Sequence, residues 1–178
     1  METTERIVEA YVRYVKGWAT ISNIRCPGQY EIDLLAIDPA KLARYHIETG
    51  VSISSAFSKL TGEPFSPEAL KQRVQGPQQR RTIGYFVQRK FGAQEVLHTL
   101  ERYGFRDRDY AKIIVSWGWT DEATQQADAV GIELWDFRDL MTEIVQAIKS
   151  EDCYFSDDIM RTLHLFSRRT KGKRAETG

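Results

Sequence analysis

"YEIDLLAIDPAKLARYHIETGVS", residues 30–52, reads as two apolar strands joined by a short polar connection, with one acid set into each strand. Asp33 sits in the run Ile32, Asp33, Leu34, Leu35, and Glu48 follows Ile47. Burying an unpaired carboxylate is costly, so acids in such places find a cation, a hydrogen-bond donor or a metal. Carboxylates on adjacent strands of a hairpin can converge on one point, and hard oxygen ligands with open water positions suit Mg²⁺. The alternative is that one acid pairs with an arginine such as Arg25 or Arg44 while the other faces solvent at a strand edge. Glu31 is expected to point outward.

Working outward, the chain supplies an α/β frame around this pair. Thr3 or Thr4 can cap a first helix running to about Lys16, with Ile7, Val8, Tyr11, Val12 and Val15 on one apolar arc and Gly17 ending it. "WATISNIRC" has strand composition and "PGQ" turns the chain into the second strand; "ARYHIETGVSI" makes the third. Residues 58–80 break the pattern with Gly62, Pro64, Pro67, Gly76 and Pro77, and read as an insertion around the short helix "SPEALKQRV". One long helix is expected from Gln78 to about Tyr103, interrupted if at all at Gly84 and Gly92. "AKIIVSW" is a buried strand, Thr120 caps a helix, "GIELWD" is a short strand and "FRDLMTEIVQAIK" a final core helix. Strands alternating with helices imply a partly parallel sheet. The expected domain spans residues 1–155, followed at 156–178 by one more helix and a basic, disordered tail.

Composition bounds the function. A chain of 178 residues, 42% hydrophobic, can bury one sizeable core. Its 25 basic and 25 acidic residues cancel, so an argument for nucleic acid must come from where charges sit. Residues 51–100 carry seven Lys/Arg against three acids, whereas 101–160 carry six against fourteen, which allows a basic face on a neutral protein. Cys26 and Cys153 lie far apart and the three histidines are scattered, so nothing resembles a zinc site. The N-terminus opens on charged residues and no apolar run reaches membrane-spanning length, so a soluble, cytoplasmic protein is expected. No Walker-type phosphate loop and no Ser-His-Asp or Cys-His arrangement is found.

The segments "TERIVEAYVRYVKGW", "YEIDLLAID" and "YHIET", in that order, resemble the PD-(D/E)XK nuclease superfamily. In that family a helix carrying an acid leads into a strand meander with an aspartate on the second strand and Glu-x-Lys on the third. Glu5, Tyr11 and Gly17 ahead of "EIDLLA" look like the members related to Holliday-junction resolvases and Mrr-type restriction enzymes. "VSWGWTDEATQQADAVGIELWDFRDL" is similar to the segment that closes the core of Mrr-like domains. The resemblance covers roughly residues 3–50 and 111–148. It implies a restriction-endonuclease-like α/β fold with a mixed sheet of about five strands flanked by helices.

By the same resemblance, Asp33 and Glu48 would hold Mg²⁺ or Mn²⁺, with the Thr49 carbonyl as a third ligand and Glu5 as the helix acid. A first-turn acid favoured by the helix dipole is the competing account of Glu5. The sequence departs from the family at the lysine, since the triplet reads Glu48, Thr49, Gly50. A cation must arrive from elsewhere or the hydrolytic site is impaired. Lys59, Arg89 and Lys90 are candidates, and Lys90 is favoured because related folds move the positive group to a helix; a solvated helical lysine is the competing account. Lys71, Arg73, Arg80, Arg81, Arg89 and Lys90, with no acid from 69 to 94, could contact a phosphate backbone. The expected function is a metal-dependent nucleic-acid phosphodiesterase, DNA favoured over RNA, and a homodimer is left open. The alternatives are a catalytically silent module that binds nucleic acid or a protein partner, and a structural domain whose Arg80, Arg81 and Lys90 pair with the acidic segment 101–160.

Overall fold

Three antiparallel strands open the sheet: β1 (Ala19–Cys26), β2 (Tyr30–Ile37) and β3 (Arg44–Thr49). The computed structural model describes residues 2–51, 59–106, 108–150 and 155–169. β4 (Ala111–Ser116) and β5 (Ile132–Asp136) then join parallel, giving a five-stranded mixed sheet in the order β1-β2-β3-β4-β5. The chain is therefore α/β with helices on the sheet, as its alternation of apolar strands and helical segments implies.

Hydrophobic pattern sets the register. Leu34 pairs with Ile47 and Leu35 with His46, so Leu34, Ile47, Ile113 and Val115 pack into one core while Leu35 packs into another. The first core is closed by α1 (Thr3–Ala10), α7 (Phe137–Ser150) and α8 (Asp158–Arg169), through Val8, Phe137, Leu140, Ile144, Ile148 and Met160. Opposite, α5 (Gln94–Arg102) lays Val96 and Leu100 on Ile24, Ile32 and Leu35. α6 (Asp121–Ala129) brings Ala123 and Ala127 to Ile114 and Phe86. Thr120 caps α6, its hydroxyl accepting the Ala123 N–H at 3.3 Å. The tryptophans are structural: Trp18 stacks on Tyr45, centroids 4.1 Å apart, and packs with Trp117 and Trp135 against the first core, while Trp119 packs on the third.

Two expectations on helices need correction. The first helix starts with Glu2 at the N-cap position, one residue earlier than a threonine cap would allow, and continues past Ala10 as a π-helical turn, Tyr11–Val15. Glu5, not a threonine, satisfies the first free N–H, accepting from Glu2 N at 2.7 Å. The expected helix from Gln78 to Tyr103 is four pieces: the end of α3 (Gly76–Gln79), α4 (Ile83–Tyr85), a π-helical turn Phe86–Phe91 and α5. Thr82 breaks it first, taking an extended conformation and accepting the Tyr85 N–H at 3.1 Å. Gly92 breaks it again, where a Cβ would lie 2.5 Å from the Val87 carbonyl oxygen.

In the expected insertion, "SPEALKQRV" forms only α2 (Pro67–Leu70), capped by Ser66. That segment is tied to the body through Leu60, bridged to Trp119, and Thr61, bridged to Thr82. The end of the expected third strand beyond Val51, Cys153 and the basic tail 170–178 lie outside the described residues.

Candidate active site

The β2–β3 ladder ends at Leu34 and Ile47, and the next residue on each strand is an acid. There the backbone pairing gives way to side chains. Thr49 N–H donates to Asp33 Oδ2 at 2.8 Å, and Asp33 N–H reaches Glu48 Oε1 at 3.4 Å. Each carboxylate thus takes a backbone donor that a continued ladder would have paired. Each also keeps one oxygen for something else.

Those two oxygens meet Lys90. Its ammonium lies 2.8 Å from Asp33 Oδ1 and 2.5 Å from Glu48 Oε2. A third contact, 3.2 Å long, runs from the ammonium to the Glu31 carbonyl. Lys90 comes from the π-helical turn, one helical turn after Phe86 and hence on the same side. Phe86 is 1% exposed and its ring tip is 2.9 Å from where a Cβ at Gly50 would be. The space beside Gly50 is thus filled by Phe86, and the turn anchored there brings Lys90 to the two carboxylates. Arg25 and Arg44 take neither acid; Arg44 pairs with Asp109 at 3.0 Å.

His46 completes the group, and it is not among the site residues expected from the sequence. It lies two residues before Glu48, so both project from one face of β3, and both are 0% exposed. Its Nε2 is 2.7 Å from Glu48 Oε1, and its ring meets Phe91 edge-on with centroids 4.8 Å apart. The spacing His-x-Glu inside an apolar strand is the signal that could have found it.

Charge within the cluster does not balance: two carboxylates face one ammonium. Burial and then the neighbouring Glu48 push the Asp33 carboxyl up to about 7, which Lys90 and the Thr49 N–H only partly oppose. Burial raises Glu48 as well. For Lys90, burial works against the charge, but Glu48 and Asp33 outweigh it and hold the ammonium protonated. Burial drives His46 down to about 3, so the imidazole is neutral, and its carboxylate partner assigns the remaining proton to Nε2. Two carboxylates and one ammonium leave the group with about one negative charge, or one shared proton, in excess.

The remaining expected residues fall into two groups. Glu5 is half-buried, bound to the Glu2 N–H, and its carboxyl is raised by burial and by the charge of Asp33; it senses the site from a capping position. Thr49 enters through its N–H. Lys71 and Arg73 stand in the turn after α2 and Arg80 in the turn after α3, and Arg89 lies over the Tyr30 ring at 4.3 Å beside Lys90. Among the described residues Lys71, Arg73, Arg80 and Arg89 take no carboxylate partner. Lys59, the other candidate cation, is exposed.

The donor set suits a hard cation. Two carboxylates, each with one oxygen tethered and one presented, are what Mg²⁺ needs when water fills its other positions. Among the described residues no group of three or more His, Cys, Asp and Glu side chains is placed to hold a metal ion. No described helix is long and apolar enough to cross a membrane. Compared with family models, curated proteins and solved structures, the chain finds no match in any of the three.

Proposed function

We propose that the protein is a Mg²⁺-dependent nucleic-acid phosphodiesterase of PD-(D/E)XK type, with DNA favoured over RNA, in which Lys90 replaces the lysine absent from position 50. One observation carries the reading: Asp33 Oδ1 and Glu48 Oε2 are presented together to a single ammonium. Asp33, Glu48 and the Thr49 carbonyl would hold the metal. Mg²⁺ or Mn²⁺ held there would supply Lewis-acid polarisation of a phosphate oxygen and a lowered pKa for a water nucleophile. Lys90 supplies positive charge where negative charge develops at the phosphate, acting from a largely buried position where water screens it little. Glu5 adds a second negative field at the edge. Arg89, Arg80, Arg81, Lys71 and Arg73 provide contacts to the backbone of the nucleic acid.

A second reading rests on a different observation. Lys90 contacts both carboxylates and the Glu31 carbonyl within the protein, so the ion-pair group can serve as a structural centre of a silent binding module. Incubating the full chain with supercoiled and branched DNA in Mg²⁺, Mn²⁺ or EDTA separates the two. Metal-dependent cleavage that is lost in Asp33→Ala and Glu48→Ala supports the enzyme. Cleavage unchanged by both substitutions sinks the site, and DNA retention without cleavage in any metal favours the silent module.

A further inference from the structure

We infer that His46 is the positioning residue of Glu48: its Nε2–H ties one carboxylate oxygen to the protein so that the other faces the cation. The inference rests on the metal-site reading above. Glu48 has two chemically equal oxygens and a terminal torsion with a broad preference, so something must choose between its orientations. Among the described residues Oε1 receives two donors, His46 Nε2 at 2.7 Å and the much longer Asp33 N–H at 3.4 Å. The imidazole is the stronger of the two by distance.

Packing alone does not account for a histidine here. Among the described residues His46 Nδ1 is buried without a hydrogen-bond partner, and an unmet buried polar atom destabilises the fold. An apolar side chain would fill the same space without that cost. The imidazole brings instead a directed donor that carries no net charge. Lysine or arginine in its place would neutralise Glu48, whereas a neutral N–H orients the carboxylate and leaves its charge for a cation. The ring also meets Phe91, the neighbour of Lys90 on the π-helical turn, so one side chain touches both the anion and the segment that brings the cation.

Three variants of the full chain test this: His46→Gln, His46→Asn and His46→Leu. The Gln amide nitrogen reaches about as far as Nε2, the Asn nitrogen only as far as Nδ1, and Leu fills volume without a donor. The probe is Mn²⁺ alone, titrated by calorimetry, with folding followed by thermal circular dichroism. We expect His46→Asn and His46→Leu to weaken Mn²⁺ binding roughly tenfold or more, with His46→Gln holding within about threefold of wild type. On plasmid DNA the same order should appear in kcat, with KM for the DNA unchanged. Wild-type Mn²⁺ affinity in His46→Leu or His46→Asn overturns the inference, as does an equal loss in His46→Gln. Should His46→Leu not fold, the Gln and Asn variants, which differ by one methylene, decide. Wild-type protein that binds no more Mn²⁺ than a D33A/E48A double variant overturns the metal reading and this inference with it.

Discussion

The two halves of the site are built by different means. Asp33 and Glu48 stand on a regular antiparallel pair, where register fixes each acid to one face and a slip by one residue would turn both away. Lys90 stands on a stretch that passes within a few residues from α4 through a π-helical turn to Gly92 and α5. A π-helical turn inserts a residue into a helix and re-aims the side chains after it, and such turns are frequent at functional sites. The anionic half is therefore rigid by construction. The cationic half is the one whose aim is adjustable.

Substitutions on each side can break that contrast, and the anion side should give the largest effect. Asp33→Ala or Glu48→Ala should lower Mg²⁺-dependent nicking of supercoiled plasmid on the order of a thousandfold, measured against an EDTA control. On the cation side, Lys90→Met should lower nicking roughly a hundredfold. The same change should tighten Mn²⁺ binding, because the ammonium no longer occupies the presented oxygens. Opposite signs in the two measurements are the mark of an adjustable cation; a loss in both would make Lys90 a fixed part of the cradle.

Smaller effects concern stability. Gly50→Ala brings a Cβ against the Phe86 ring, and overpacking of this kind costs about 1–3 kcal/mol in urea denaturation. Thr82→Ala removes the cap of α4 and should cost about 1 kcal/mol, with a fall in nicking that Gly50→Ala shares only if Phe86 shifts the turn.

Protonation gives a further measurement. The Asp33 carboxyl moves from 3.8 to about 7 on folding, so across that window the native state holds a proton that the unfolded chain has lost. The associated stability is full below about pH 4 and is lost as pH rises through 7. In metal-free protein the melting temperature should fall over that range, with a flatter profile in Asp33→Asn.

The same contrast explains which parts of the site are legible in the sequence. Asp33 and Glu48 are visible because a strand's period of two makes an acid in an apolar run conspicuous, and the order of strands and helices comes from periodicity alone. Lys90 is legible only as the favoured one of three basic residues, chosen on the family resemblance and not on a pattern in the chain. Its selection is tertiary: Phe86 and Phe91 both reach the core beside β3 and leave Lys90 between them on the carboxylates. The expected long helix fails at Thr82, where a side chain competes for the backbone N–H, a contest that composition does not resolve. His46 escapes notice because a lone, scattered histidine signals no metal site, and service to a neighbouring carboxylate shows only as a two-residue spacing.

Phe86 over Gly50 also ties the choice of residue at one position to the other. A lysine cannot be placed at position 50 by one substitution, because its first carbon would strike an aromatic ring that is itself buried. Shrinking Phe86 first would loosen the turn that aims Lys90 before any replacement charge exists. Either order passes through an intermediate worse than both ends, the pattern expected when two positions in contact are strongly coupled. A positive charge at this site is thus tied to position 90, and a single substitution can remove it more readily than move it to position 50.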